Sequence, residues 1–263
     1  MSEINKSYVH GASNVPLIGE TIGDHFDSAV ARWPEHTALI VRHQNIRWTY
    51  TDLADRVNRL AAGLLALGLE PGERIGIWSP NNAEWAVTQF ATAKAGLILV
   101  NINPAYRVAE LEYALSKVGC KALITAIEFK TSHYLDMLKR LAPELDSCAP
   151  GQLSAAKLPE LRSVITIGAT NDPGLFSFEQ VLAMGADLPP ERVQAVAAQL
   201  QFDDAINIQF TSGTTGSPKG ATLTHHNILN NGYFIGEAQK LGDQDRVCIP
   251  VPLYHCFGMV LGN

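Results

Sequence analysis

Cysteine is scarce in this chain of 263 residues. The four cysteines, Cys120, Cys148, Cys248 and Cys256, lie far apart and show neither CxxC nor Cys/His metal-ligand spacing. This spacing argues against a zinc module and against a disulfide scaffold. We interpret the four residues as small buried hydrophobes in a reducing cytosol.

Long apolar runs are also missing. A membrane-spanning helix needs about 18 or more consecutive apolar residues, and the best candidate, Ala91 to Ile102, is shorter and contains Lys94. It predicts the end of a helix followed by a buried strand. The start of the chain, Met1 to Lys6, lacks the basic and apolar regions of a signal peptide. We therefore expect a cytoplasmic protein without a membrane span.

No cluster of positive charge marks a nucleic-acid surface. The chain has 20 Lys and Arg against 26 Asp and Glu, a net charge of −6 and a pI near 5.7. Because the basic residues are scattered, nucleic acid is not an expected partner. A composition of 46% hydrophobic and 17% charged residues is ordinary for a globular protein, and neither an internal repeat nor a low-complexity tract is present.

Apolar residues instead alternate between helical and strand periods from about residue 20 onward. Helices are predicted over residues 22–33, from an N-cap at Thr51 to Gly68, from about Asn82 to Gly96, over 108–118, 178–184 and 191–200, and from about His225. Strands are predicted over residues 38–41, 46–50, 74–78, 97–102, 121–125, 162–167, 205–210 and 221–224. Short strands separated by helices indicate parallel βαβ units, and hence an α/β fold with open, mostly parallel sheets flanked by helices.

Two features bear on domain organisation. We expect residues 1–204 to form a first α/β subdomain and residues 205–263 to begin a second one. Residues 143–159 are rich in Pro, Ser, Ala and Gly, and we interpret them as a surface excursion inside the first subdomain.

A polar loop between the last two predicted strands carries the most chemical information. It spans residues 211–220 and reads TSGTTGSPKG. Its glycines allow positive φ and close approach to a ligand, its hydroxyl groups are short hydrogen-bond donors, and Lys219 is a compact cation that can reach phosphate oxygens. Successive N–H groups of such a loop can form an anion-binding concavity.

Composition alone also fits a solvent-exposed hairpin loop or a linker. The loop is not the common phosphate-binding motif, because Pro218 stands where that motif has its second glycine, and a strand rather than a helix follows Lys219. Help from a helix dipole is therefore not expected here. On the residues alone, a phosphate loop and a plain hairpin remain equally open.

The ordered string from Phe210 to Gly220 resembles the phosphate loop of the adenylate-forming superfamily, which includes acyl-CoA synthetases, aryl-CoA ligases, adenylation domains and beetle luciferases. Further family-like stretches stand in the same order, closest to medium- and long-chain fatty acyl-CoA synthetases: Trp48–Leu53, Gly68–Ile75, Asn81–Trp85, Asn103–Tyr106, Glu110–Tyr113 and Pro252–Gly258. The resemblance runs from about residue 20 to the last residue and implies the large amino-terminal domain of these enzymes.

The resemblance also implies roles for particular residues. Nucleotide phosphates would be held by Thr211, Ser212, Gly213, Thr214, Thr215, Gly216 and Lys219. Lys219 and His255 would be catalytic, Lys219 by neutralising phosphate charge and His255 by orienting the acyl carboxylate. Mg²⁺ would lie near Thr214 or Thr215 through the phosphates. His255 alone would otherwise be interpreted as a histidine near a helix start, and His225 and His226 are expected only to begin a helix.

The implied reaction is ATP-dependent activation of a carboxylic, most simply a fatty, acid to an acyl-adenylate and then an acyl-CoA thioester. ATP, CoA and Mg²⁺ are the implied cofactors and co-substrates. The adenine, ribose and lid motifs of the family are not found before Asn263, so we expect the full reaction to need further residues. An aryl-CoA ligase, a carrier-loading adenylation domain and a non-catalytic nucleotide-binding module remain alternatives, and the sequence does not decide between a monomer and a homodimer.

Overall fold

The computed structural model describes residues 14–211 and 217–263. Its helices are α1 (Ile22–Arg32), α2 (Tyr50–Ala66), α3 (Ala83–Lys94), α4 (Val108–Val118), α5 (Tyr134–Leu141), α6 (Phe178–Ala186), α7 (Pro190–Ala197) and α8 (His225–Gln239). Its strands are β1 (Thr37–Val41), β2 (Ile46–Thr49), β3 (Arg74–Trp78), β4 (Ile98–Asn101), β5 (Cys120–Ala126), β6 (Glu128–Phe129), β7 (Ser132–His133), β8 (Ser163–Ile167), β9 (Phe176–Ser177), β10 (Ala205–Thr211) and β11 (Lys219–Thr224). A π-helical turn covers Phe257–Leu261.

A seven-stranded sheet in the order β11-β10-β4-β3-β5-β8-β9 forms the centre of the fold. All neighbouring strands in it are parallel except the edge strand β11, which runs antiparallel to β10. The pairs β1–β2 and β6–β7 form two small antiparallel sheets. The predicted α/β class with a mostly parallel sheet is confirmed.

Both faces of this sheet are covered. Neighbouring side chains of β3 and β5 enter two different apolar clusters, as Ile77 and Trp78 do, because strand side chains point to opposite faces. The cluster on one face includes side chains of α2, α3 and α6, and the cluster on the other face includes side chains of α4 and α5. Burial on both faces explains why these strands are almost continuously apolar.

The start of α2 corrects one prediction. Thr49, not Thr51, is the N-cap: its hydroxyl accepts from the Asp52 backbone N–H at 3.1 Å, and the Asp52 carboxylate accepts from the Thr49 N–H at 2.9 Å. Thr51 lacks an acidic or amide partner three residues later, and its hydroxyl donates to the Pro34 carbonyl at 3.0 Å instead. A reciprocal capping box satisfies two helix-start donors and so fixes the boundary.

Two other interpretations are only partly right. Cys120 is buried as predicted, Cys148 is half-buried, and Cys248 and Cys256 are exposed. The stretch 143–159 stays within the domain as predicted, yet it is not confined to the surface. Its Leu145, Leu153 and Leu158 pack into the same apolar cluster as α5.

The predicted division at residues 204 and 205 does not coincide with a sheet boundary. Strand β10, which follows it, pairs in parallel with β4 of the preceding segment. The two-subdomain organisation stays a prediction. Within residues 14–211 and 217–263, none of the helices combines the length and apolar character needed to cross a bilayer.

Candidate active site

The polar loop connects the two outermost strands on one side of the central sheet. Thr211 ends β10, Lys219 begins β11, and the two are Cα partners in the antiparallel ladder. The Thr211 hydroxyl donates to the Lys219 carbonyl at 3.4 Å, and both side chains are exposed. Strand β11 thus begins two residues earlier than predicted and takes in Lys219. Five predicted phosphate ligands lie outside the described residues: Ser212, Gly213, Thr214, Thr215 and Gly216.

Helix α4 contacts both strands at the base of this hairpin. The Tyr113 hydroxyl donates to the carbonyl of Pro218 at 2.9 Å. The Tyr113 ring also lies 6.3 Å from the Phe210 ring, in a tilted arrangement. Because Pro218 directly precedes Lys219, this tyrosine fixes the backbone from which the lysine extends.

His255 lies in a tight turn that enters the π-helical segment. Its backbone N–H donates to the Pro252 carbonyl at 3.1 Å, and its own carbonyl accepts from the Met259 N–H at 2.9 Å. The imidazole is exposed, and its Nδ1 accepts from the Phe257 N–H at 3.3 Å. An accepting Nδ1 leaves the proton of the neutral ring on Nε2, which can then donate to an oxygen ligand.

The loop and the His255 turn are brought to the same edge of the sheet. β10 ends at Thr211, and β3 is followed by Asn81, whose side chain hydrogen-bonds the backbone of Val251 and Leu253 just before the turn. Parallel strands place their carboxyl ends at one edge, and β10 and β3 are separated by β4 alone. Two strand spacings put these ends about 10 Å apart. Ligands of open α/β sheets bind outside this edge.

The surroundings of Tyr106, which lies beyond the end of β4, shift its pKa. Burial raises the pKa of the Tyr106 phenol above its ordinary value of 10.0, and the Glu110 carboxylate and the phenols of Tyr254 and Tyr113 raise it further. Tyr106 follows β4, Tyr113 contacts the loop hairpin, and Tyr254 adjoins His255.

Sequence reasoning assigned no role to Asn81, Tyr106 or Tyr113. Each lies in a stretch that resembled the family, and Asn81 and Tyr106 stand three and four residues after the ends of predicted strands. A polar or aromatic residue just beyond a parallel strand is the signal that could have indicated them.

His225 and His226 begin α8, as predicted. Thr224 caps the helix, with its hydroxyl accepting from the Asn227 N–H at 3.1 Å. His225 is fully buried, and its Nδ1 accepts from the Ile22 N–H at 3.1 Å. Burial lowers the pKa of His225 below its ordinary value of 6.5, and the neighbouring Asp204 and Asp24 carboxylates offset part of this effect.

Comparison with known proteins identifies the family. Residues 26–263 match the protein family described as AMP-binding enzyme. The chain belongs to this family. The chain is 46% identical over 264 residues to a protein named medium-chain acyl-CoA ligase ACSF2, mitochondrial, of Danio rerio, covering 99% of this chain and 43% of that protein. The protein of the same name from Bos taurus is 47% identical, with 98% of this chain and 42% of that protein covered.

A solved structure supports the fold. The crystal structure of a long-chain-fatty-acid-CoA ligase (FadD1) from Archaeoglobus fulgidus superposes with a TM-score of 0.74 at 23% identity, covering 97% of this chain and 47% of that one. The predicted family resemblance and fold are both confirmed. This AMP-binding chain spans about 43% of the length of the first curated relative that it matches.

Proposed function

We propose that a protein carrying this chain activates a medium-chain fatty acid with ATP and transfers the acyl group to CoA. One observation carries the proposal: the hairpin of Thr211 and Lys219 and the turn of His255 lie at the same carboxyl edge of the sheet, in a chain of the AMP-binding family. The names of the curated relatives reported above support a medium-chain acid as the substrate class.

The first step joins the acid to the nucleotide. A carboxylate oxygen attacks the α-phosphorus of ATP, a P–O bond forms, the bond from this phosphorus to its bridging oxygen breaks, and pyrophosphate leaves. Negative charge grows on the leaving pyrophosphate, so donors aimed at its oxygens favour the transition state. A carboxylate needs this activation because it is otherwise a poor electrophile.

The loop is proposed to supply those donors. Thr211 and Lys219 face each other across the mouth of the hairpin, and the hydroxyl groups of Ser212, Thr214 and Thr215 are proposed to complete the set. Each hydrogen bond to a charged group contributes about 1.5–3 kcal/mol. The Lys219 ammonium adds a mobile positive charge without a fixed geometry.

His255 is proposed to orient the attacking carboxylate. Its exposed ring presents the Nε2–H donor described above, on a backbone held close to the sheet edge. A donor to one carboxylate oxygen leaves the other oxygen directed at the phosphorus. Holding the two reacting groups in this orientation lowers the activation barrier of the reaction.

The second step forms the thioester. The CoA thiolate attacks the acyl carbonyl carbon, a C–S bond forms, the C–O bond to AMP breaks, and AMP leaves. Mg²⁺ is commonly bound through substrate phosphates rather than by a protein cage. Within residues 14–211 and 217–263, no group of three potential metal-ligating side chains is found. Thr214 or Thr215 is proposed to lie near the ion through the phosphates.

Acid-dependent exchange of pyrophosphate into ATP tests the activity. It should be measured in a protein that carries this chain and spans the full length of its relatives, with octanoate, palmitate, benzoate and an amino acid compared. Octanoate is expected to support the fastest exchange and to give octanoyl-CoA when CoA is added. Faster exchange with benzoate or with the amino acid would favour an aryl-CoA ligase or a carrier-loading domain, and no exchange with any acid would refute the proposal.

The compartment and the oligomeric state are proposals as well. A cytoplasmic location was expected from the sequence, whereas the relatives are named mitochondrial proteins. Fractionation of cells that express the full-length protein decides between the two, and sedimentation decides between a monomer and a homodimer.

A further inference from the structure

We propose that Asn81 is a positioning residue that sets where the His255 imidazole stands. This inference rests on the function proposed above, because it assigns His255 to the acyl carboxylate. Asn81 does not touch a reacting atom in this account. It acts through the backbone of the turn that carries the histidine.

The Asn81 amide binds this backbone from both sides of Pro252. Its Nδ2 donates to the Val251 carbonyl at 2.8 Å, and its Oδ1 accepts from the Leu253 N–H at 2.7 Å. One side chain thus replaces the pair of bonds that a neighbouring strand would give. Because Asn81 stands three residues after the last residue of β3, the turn is tied to the carboxyl end of a central strand of the sheet.

The turn itself passes this restraint on to His255. The His255 N–H bonds to the Pro252 carbonyl, and a Cβ at Gly258 would stand only 2.5 Å from that same oxygen. The Pro252 carbonyl is therefore closely packed against both His255 and Gly258 within the turn. Gln89 of α3 holds its far end, with Nε2 donating to the Met259 carbonyl at 3.2 Å.

The imidazole depends on this backbone for its place. It is exposed, and its hydrogen bond within the described residues comes from the Phe257 N–H of the same turn. A shift of the turn therefore shifts the ring by a similar amount. A misplacement of about 1 Å in a reacting group can cost about 100-fold in rate.

A purely structural role is the competing explanation, and the chain contains a matched control for it. Asn230 makes the same two-sided contact with Ile18: its Oδ1 accepts from the Ile18 N–H at 2.7 Å, and its Nδ2 donates to the Ile18 carbonyl at 3.0 Å. Asn230 lies on α8 and holds the segment before α1. Its loss removes the pair of bonds to Ile18, together with a bond to the His226 carbonyl at 3.0 Å, and leaves both Asn81 contacts in place.

The test compares Asn81→Ala, Asn230→Ala, His255→Ala and the double variant N81A/H255A by pyrophosphate exchange in the full-length protein. For Asn81→Ala we expect kcat/KM for the carboxylate to fall about 10- to 100-fold, with KM for ATP changed by less than about twofold. Asn230→Ala is expected to lower the melting temperature about as much as Asn81→Ala does. It should leave KM for ATP and KM for the carboxylate unchanged. In the His255→Ala background, Asn81→Ala should have little further effect, because residues that act together are not additive.

The proposal is overturned if Asn81→Ala lowers kcat/KM by the same factor with and without His255, or if it raises KM for ATP as much as KM for the acid. Asn81→Asp, which keeps the acceptor for Leu253 but loses the donor to Val251, serves if the alanine variant does not fold, and it should show the same selective loss. Lack of exchange in the wild-type protein would instead refute the proposed function, so the two failures are distinguishable.

Discussion

The contact of Tyr113 with the loop hairpin gives a prediction whose size follows from one hydrogen bond. Tyr113→Phe removes the 2.9 Å bond to the Pro218 carbonyl and keeps the ring beside Phe210. A neutral hydrogen bond contributes about 0.5–1.5 kcal/mol. If the Lys219 side chain reaches the phosphates only while this bond is made, the full free energy of the bond is lost from kcat/KM for ATP. Since about 1.4 kcal/mol is a factor of ten, kcat/KM for ATP should fall about two- to tenfold.

The assay is pyrophosphate exchange with ATP varied at saturating acid, and then with the acid varied at saturating ATP. Only the first series should change. Thr51→Val is the matched control, because it also removes a bond from a hydroxyl to a proline carbonyl, at 3.0 Å, at the start of α2. Equal values for Tyr113→Phe and wild type would refute the reasoning, as would an equal loss in the control.

Three further predictions concern stability. A Cβ at Gly185 would lie 1.8 Å from the Arg59 carbonyl of α2, so Gly185→Ala should destabilise the fold by about 1–3 kcal/mol. A Cβ at Gly236 meets no atom within 4 Å, so Gly236→Ala should instead stabilise α8 by about 0.5–1 kcal/mol. Urea unfolding measures both changes, and equal free energies of unfolding for the two variants would contradict this packing. Because burial lowers the pKa of His225 below 6.5 and its Nδ1 accepts from Ile22, the unfolded chain binds a proton first as the pH falls. The free energy of unfolding should therefore decrease below about pH 6.5, by up to about 1.4 kcal/mol per pH unit, and His225→Asn should flatten that slope; an unchanged slope would refute the assignment.

Much of the fold could be predicted from local signals. Strand β3 and helix α4 have the predicted bounds, because an apolar run or a helical period is closed at each end by glycine or another turn residue. Gly119 ends α4 with a φ of 62°, a backbone conformation that favours glycine. Such boundaries depend on residues within one or two turns of the chain.

Other elements could not be predicted in this way. Helix α5 follows the two-residue strands β6 and β7, and its start at Tyr134 has no side-chain cap that would mark it in the sequence. The burial of Leu153 and Leu158 depends on the neighbouring elements rather than on their own polar surroundings. In such segments, tertiary packing overrides the intrinsic conformational propensity of the residues.

The residues of the candidate site also divide into those indicated by local signals and those that depend on long-range contacts. Lys219 and His255 were indicated by ordered motifs, which are local. The contact of Asn81 with Leu253 joins residues 172 positions apart, and that of Tyr113 with Pro218 joins residues 105 apart. Periodicity and residue spacing do not predict such contacts, because they depend on the order of strands in the sheet. That order cannot be predicted from any single segment.

The measurement that tests the central claim most directly is the separate rate of each half-reaction in Lys219→Ala. Pyrophosphate exchange reports formation of the adenylate, and transfer from pre-formed acyl-adenylate to CoA reports the second step. The lysine is proposed to neutralise charge on the departing pyrophosphate, so exchange should slow by a much larger factor than transfer. Unchanged exchange in Lys219→Ala, or an equal slowing of both steps, would contradict the role given to this loop.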